Sequence, residues 1–251
     1  MNILICNDDG INSKGIIRIA EKLAETDKVL VVAPKNNMSA CSHSLTIGKP
    51  IELCNEDFLN SENLRAYSIS GTPADCVKIA HHVLSDFKPD ICVSGINKGH
   101  NLGSDTLYSG TLSVAIEAAY FGCVSFAFSS FSHDESDFEG FSTLAKKMID
   151  VLLPFSIKGD VWNINFPTGR AEDVKGFKIT RLGIHKYMDY YEKTEAGQYV
   201  LKGYPLFDKD ENIDCDIYWV NSGYVSITPI LFNRTDYEKI GRIKSECEKL
   251  L

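Results

Sequence analysis

The sequence predicts an α/β fold, a doubly wound, Rossmann-like, mostly parallel sheet with a β-rich C-terminal extension. Three observations carry this reading. Short apolar, β-branched runs recur along the first two thirds of the chain, segments with apolar residues at helical spacing alternate with them, and the runs are apolar throughout rather than alternating. Continuous apolar runs mark strands buried on both faces, as in a parallel sheet covered by helices.

Ile3 to Cys6 is the first strand, ending at Asn7-Asp8-Asp9-Gly10, and Ile16, Ile19, Ala20 and Leu23 give the first helix. Val29 to Ala33 is a strand stopped by Pro34. Val77, Ala80, Leu84 and Phe87 mark a helix before Pro89, with Thr72 as its N-cap, Pro73 at its first position and Asp75 in its first turn. Asp90 to Ser94 and Val124 to Phe128 are further strands, separated by an Ala-rich segment, Leu112 to Phe121, that reads as a well-buried helix. Phe141, Leu144, Met148 and Leu152 lie on one helical face, and Val161 to Ile164 and Phe177 to Arg181 are candidate strands. Residues 183–235 are Tyr-rich and β-prone around the acidic segment 208–214, and are read as a β-rich extension used in oligomerisation. Helical spacing returns after Asp236 with Ile240, Ile243 and Cys247. The whole, 1–251, is expected to be a single α/β domain, with the acidic runs at 132–138 and 208–216 as solvated loops.

Composition narrows the function. Of 251 residues, 44% are hydrophobic and 24% charged, which is globular and not disordered. Lys and Arg number 26 against 34 Asp and Glu, a formal charge of −8, so no global positive field exists to hold a nucleic-acid backbone. Polymeric nucleic acid is therefore not expected as the main ligand. No uninterrupted apolar stretch is long enough for a membrane span and the start lacks a basic leader, so a cytoplasmic protein is expected. The eight cysteines are scattered without a C-x-x-C and read as reduced core residues, not catalytic thiols.

Ligands in open α/β sheets bind at the carboxyl ends of the strands. Here those ends carry Asp8 and Asp9, then Lys35 to His43 with Ser39, then Gly95 to Asn101 with Asn97. Nearly all are hard oxygen donors. Adjacent carboxylates raise one another's pKa unless a cation neutralises them, and such a set suits Mg²⁺ or Mn²⁺ far better than Zn²⁺. Helix capping alone accounts for Asp8-Asp9-Gly10 taken singly, but three converging strand ends are harder to explain that way. Tyr108-Ser109-Gly110-Thr111 precedes the buried helix, which would turn hydroxyls and backbone N–H groups toward the same crevice for a phosphate. Ser70 to Asp75 offers a similar turn, for which an ordinary helix start is an equal explanation. His43 and His100 are the histidines expected near the crevice. Signatures of P-loop, dinucleotide and serine-hydrolase sites are missing, and no Cys has an Arg six positions later. A receiver domain, which also pairs acids after its first strand, lacks its phosphoacceptor Asp at Gly95-Ile96-Asn97 and its Lys after Phe128.

Several of these motifs together resemble the survival protein SurE family: Asn7 to Ile11, Ala33-Pro34 with Ser39 and Ser42 to Thr46, Gly71 to Cys76, Val93 to Asn97 with Asn101 to Gly103, and Leu107 to Thr111. Asn163 to Pro167 and Gly223 to Pro229 are similar to family motifs as well. The chain departs from the family at Lys35 to Met38, at Asn233 to Thr235 and over 186–216. The resemblance implies a metal-dependent 5′-nucleotidase, or acid-type phosphatase, acting on nucleoside 5′-monophosphates in the cytoplasm. It implies one divalent ion, Mg²⁺ or Mn²⁺, on Asp8, Asp9, Ser39 and Asn97, with Asp8 and Asp9 catalytic. It also implies Asn101, Ser109, Gly110 and Thr111 around the phosphate, and a homodimer or homotetramer. A non-catalytic nucleotide-binding sensor with the same fold is the alternative.

Overall fold

A computed structural model describes residues 1–57, 61–132, 134, 136–206 and 214–248. Its main sheet is built from β1 (Asn2–Cys6), β2 (Lys28–Pro34), β3 (Leu53–Glu56), β4 (Leu64–Ile69), β5 (Ile91–Lys98), β6 (Val124–Ser130), β7 (Val161–Phe166) and β8 (Phe177–Ile179). A separate hairpin follows, β9 (Lys186–Lys193) with β10 (Tyr199–Leu206), before β11 (Val225–Ile230) returns to the main sheet. The helices are α1 (Lys14–Ala24), α2 (Pro73–His82), α3 (Gly110–Tyr120), α4 (Asp137–Leu152), α5 (Asp216–Asn221) and α6 (Tyr237–Glu248).

The strand order is β3-β4-β2-β1-β5-β6-β7-β11-β8. From β4 to β7 the neighbours are parallel, while β3 is antiparallel to β4 and β11 to β7. Side chains of β1 alternate between faces. Ile3 and Ile5 pack with α1 and α4, through Ile16, Ile19, Leu23, Phe141, Ala145 and Ile149. Leu4 and Cys6 pack on the other side with Cys76, Val77 and Ala80 of α2 and Val114 and Ala118 of α3. This is the expected doubly wound, mostly parallel fold. The chain winds outward from β1 through β2 and then crosses to β5 on β1's other side, so the order reverses between β1 and β5.

The short β3 and β4 were not anticipated. Leu53-Cys54-Asn55-Glu56 is polar and only partly buried because β3 is an edge strand, and β4 buries mainly Ala66, Ser68 and Ile69. Helix α2 ends at His82, earlier than the spacing predicts, because Ser85, Asp86 and Pro89 are poor helix continuers. Its start is as expected: the Thr72 hydroxyl accepts from Asp75 N, and the Asp75 carboxylate accepts from Thr72 N.

The extension is not a single β unit. The hairpin stands apart, with all of its residues exposed. Then α5 intervenes, and β11 enters the main sheet between β7 and β8, where Val225 and Ile227 face the core. Asp216 ties this part down: its carboxylate accepts from Gly103 N at 2.8 Å, Gly183 N at 2.8 Å and Ile217 N at 2.9 Å. Residues 207–213, most of the acidic run read as a loop, and residues 133 and 135 of the earlier acidic run lie outside the described residues.

Gly15 lies where α1 crosses the end of β5, and a Cβ there would sit 1.8 Å from the Ile96 carbonyl oxygen. Gly15→Ala is expected to destabilise the fold by about 1–3 kcal/mol, as for other overpacked core positions, measured as a lowered urea midpoint.

Candidate active site

The first βα turn is set by Asn7, which is fully buried. Its Nδ2 donates to Gly10 O at 3.0 Å and Ser13 Oγ at 2.8 Å, and its Oδ1 accepts from Gly10 N at 3.2 Å. That brace sends Asp8 and Asp9 to different partners. Asp8 turns toward α3, where its Oδ1 accepts from the Thr111 hydroxyl at 2.6 Å. Asp9 turns toward β5, where its Oδ2 accepts from Lys98 N at 2.8 Å.

The loop after β2 is drawn in by backbone: Met38 N donates to Asp8 O at 2.7 Å, and Ser39 N to Asn37 Oδ1 at 2.9 Å. At the end of β5, past a register shift between Ser94 and Asn97, the Asn97 Nδ2 donates to Gly99 O at 2.9 Å. Its Oδ1 is therefore the end of the amide open to a ligand.

Burial pushes the Asp8 carboxyl above the ordinary carboxylate range, opposed by the Thr111 hydroxyl and by the backbone N–H groups of Thr111 and Gly110. Burial also pushes Asp9 up to about 6, with the Asp8 charge adding to it and the Lys98 N–H opposing it. Two acids held where negative charge is unfavourable form a place that a cation would relieve. Among the described residues no three His, Cys, Asp or Glu side chains cluster to hold a metal. The donors here are two carboxylates, a hydroxyl and an amide oxygen, a hard set that fits Mg²⁺ or Mn²⁺.

A cleft of about 710 Å³ brings together Asp8, Ser39, Asn97, Asn101 and Ser109. Asp9 lines a neighbouring hollow of about 220 Å³ with Asn37 and Lys98. Ser109 caps α3, its Oγ accepting from Leu112 N at 2.9 Å, which leaves its O–H as a donor. Gly110 has to be glycine, because a Cβ there would lie 2.7 Å from Asp8 Cβ and 2.8 Å from Asp8 Oδ2. Thr111 is fully buried and is not among the cleft's lining residues. Its hydroxyl and the start of α3 are directed at Asp8, not at open space, so they act on the carboxylate.

Asn101 is held from all sides. Its N donates to Asn165 Oδ1 at 2.8 Å, its Nδ2 to Ser129 Oγ at 2.8 Å, and its carbonyl accepts from Asn163 Nδ2 at 2.9 Å and Asn165 Nδ2 at 3.2 Å. The Asn163 and Asn165 side chains thus position the loop that follows Asn97, a role signalled by two amides in an otherwise apolar buried strand.

The histidines sort differently from expectation. His43 does not line the cleft: its Nε2 meets Glu117 Oε2 at 2.7 Å, while Lys78 Nζ sits 2.6 Å from Glu117 Oε1. His100 does line it, its Nε2–H donating to Phe166 O at 2.9 Å, and burial lowers its pKa. His185, missed in the sequence, lines it as well. Its Nδ1 lies 2.8 Å from Asp105 Oδ2. It comes from a distant segment, and nothing in its neighbourhood of sequence marks it.

The family profile "Survival protein SurE" matches residues 3–189. The chain belongs to the survival protein SurE family. It is 40% identical over 257 residues to "5′-nucleotidase SurE" of Clostridium beijerinckii, covering 99% of this chain and 100% of that one. The "5′-nucleotidase SurE" of Thermosipho africanus is 39% identical over 255 residues, covering 99% and 98%. The crystal structure of the SurE protein from Aquifex aeolicus superposes with a TM-score of 0.81 at 33% identity, over 98% of this chain and 99% of that one.

Removing the Thr111 hydroxyl leaves the buried Asp8 carboxylate short of a donor. Thr111→Val is expected to cost about 1.5–3 kcal/mol in urea unfolding, the range for hydrogen bonds to charged groups, whereas Thr111→Ser should stay near wild type. Glu117 is held below its ordinary pKa first by His43, then by Lys78. Its contribution is thus complete above the unfolded value of about 4.5 and lost as pH falls through the lower folded value. Between pH 6 and 3.5 the urea midpoint of Glu117→Gln should fall less than that of the wild type.

Proposed function

We propose that the protein is a divalent-metal-dependent 5′-nucleotidase, a phosphomonoesterase that hydrolyses nucleoside 5′-monophosphates to nucleoside and phosphate. What supports this is the placement of Asp8, Ser39 and Asn97 on one cleft of about 710 Å³, with Asp9 in the adjoining hollow, at the reversal of strand order. The curated names of the relatives support the nucleotide as substrate.

A divalent cation held by Asp8, Asp9, Ser39 and Asn97 would act as a Lewis acid on a phosphate oxygen and orient a water for attack. Asp8 and Asp9 supply the negative charge that keeps a cation in place. Thr111 and the N-terminus of α3 hold Asp8 in one orientation, so its oxygens need no rearrangement during reaction. The Ser109 O–H is a donor at the cleft edge for a phosphate oxygen, and the Asn101 Nδ2, one of whose hydrogens goes to Ser129 Oγ, has a second to donate. In the overall step the water oxygen bonds to phosphorus and the bond from phosphorus to the 5′-oxygen breaks, one water proton ending on the nucleoside.

We read the assembled form as a homodimer or homotetramer. Tyr190, Tyr191, Tyr199 and Tyr204 of the hairpin are exposed, and an isolated two-stranded ribbon is marginal in water, so a partner copy would stabilise it. The cytoplasm is its expected site of action, in keeping with eight free cysteines, five of them buried. Among the described residues no helix is long and apolar enough to cross a membrane.

The test is phosphate release from nucleoside 5′-monophosphates with Mg²⁺, Mn²⁺ or EDTA, beside Asp8→Asn. Metal-dependent release, lost with EDTA and reduced at least about 100-fold in Asp8→Asn as for loss of a key electrostatic group, is the expected outcome. Saturable nucleotide binding without release under any metal would mean a sensor that keeps the site without the chemistry.

A further inference from the structure

We propose that the outer half of the cleft is a nucleoside subsite, in which Tyr187 and Leu201 of the β9–β10 hairpin receive the base. This rests on the nucleotidase reading and adds the residues that choose the leaving group. The cleft's lining is of two chemical kinds: oxygen donors at Asp8, Ser39 and Asn97, carried by or next to strand ends of the main sheet, and Leu107, Tyr108, Tyr187 and Leu201, the last two carried by the hairpin. A phosphomonoester with its phosphate at the oxygen donors must lay its leaving group along the second kind.

The hairpin's register explains the wall. Pairing of Asp189 with Gly203 and of Tyr191 with Leu201 puts Tyr187, Asp189 and Leu201 on one face, since side chains alternate along each strand. All three line the cleft. Met188, Tyr190, Val200 and Tyr204 fall on the opposite face, outside it.

The root of the hairpin is fastened to the cleft. Asp105 Oδ2 accepts from the Tyr187 hydroxyl at 2.8 Å and lies 2.8 Å from His185 Nδ1. His185 N donates to Ser104 Oγ at 2.9 Å, and the same Oγ donates back to His185 O at 3.1 Å. The Tyr187 and His185 rings lie 4.9 Å apart. A tyrosine tethered by its hydroxyl offers its ring with little loss of side-chain freedom on binding. Asp105 and Asp189 also border this half, which suits an uncharged base better than further phosphates.

The experiment compares adenosine 5′-monophosphate with glycerol 2-phosphate, which carries no base, and measures adenosine binding by calorimetry. The variants are Tyr187→Ala, Tyr187→Phe and Leu201→Ala, each checked for an unchanged urea midpoint. In Tyr187→Ala the KM for the nucleotide and the Kd for adenosine should both rise about 5- to 100-fold, the loss expected for one base–aromatic stack. Its constants for glycerol 2-phosphate should not move. Tyr187→Phe, which keeps the ring but loses the tether to Asp105, should fall between wild type and Tyr187→Ala, and Leu201→Ala should weaken adenosine in the same direction. No adenosine binding to the wild type, or an equal loss toward both substrates in Tyr187→Ala, would overturn the subsite. A wild type that binds adenosine through Tyr187 yet releases no phosphate from either ester would instead overturn the nucleotidase reading while upholding the subsite.

Discussion

The site depends on one constraint: a carboxylate, Asp8, buried where the central strand β1 ends, against the N-terminus of α3. Its burial raises the cost of its charge, and the structure offsets this with the Thr111 hydroxyl and the N–H groups of Thr111 and Gly110. The helix can approach that closely only because residue 110 has no side chain. A helix start that would otherwise be free for an anion is thereby committed to a protein carboxylate. What remains for a ligand is the unsatisfied negative character of Asp8 and Asp9, which favours a cation.

Around this point the loops are fixed by buried polar groups together with a small apolar cluster of Leu102, Cys215, Ile217 and Val220. Asn7 braces the turn after β1, Asn163 and Asn165 hold the segment at Asn101, and Asp216 gathers three backbone N–H groups from separate segments. Loops must satisfy their own backbone donors and acceptors once they are covered, so side-chain amides and a carboxylate stand in for a ladder. The result is a rigid rim assembled from sequence-distant pieces, the condition for holding donors in a productive geometry.

The hairpin adds a second level. It does not join the main sheet, yet its root is tied to Asp105, so one of its faces becomes a cleft wall while the other is left to solvent. One face of the ribbon thus lines the cleft with Tyr187, Asp189 and Leu201, while the other carries Met188, Tyr190, Val200 and Tyr204. Tethering at the root is what allows an otherwise marginal ribbon to present side chains at a defined place.

The sequence by itself determined the fold class and located β1, β2, β5, β6 and β7 with the helices between them, because period and buried apolar runs are local properties. It also singled out Asp8, Asp9, Ser39 and Asn97 at strand ends, of which Asp8, Ser39 and Asn97 line one cleft and Asp9 the neighbouring hollow. Edge strand β3, the return of β11 into the main sheet and the exclusion of His43 from the cleft were decided only in three dimensions. Each depends on which distant surface a segment meets: β3 lies at an exposed edge, β11 fills a place between β7 and β8, and His43 finds Glu117. The committed role of Thr111 and the arrival of His185 and Tyr187 are of the same kind. A hydroxyl or an imidazole looks the same in a sequence whether it faces a carboxylate or open space, and only packing chooses between them.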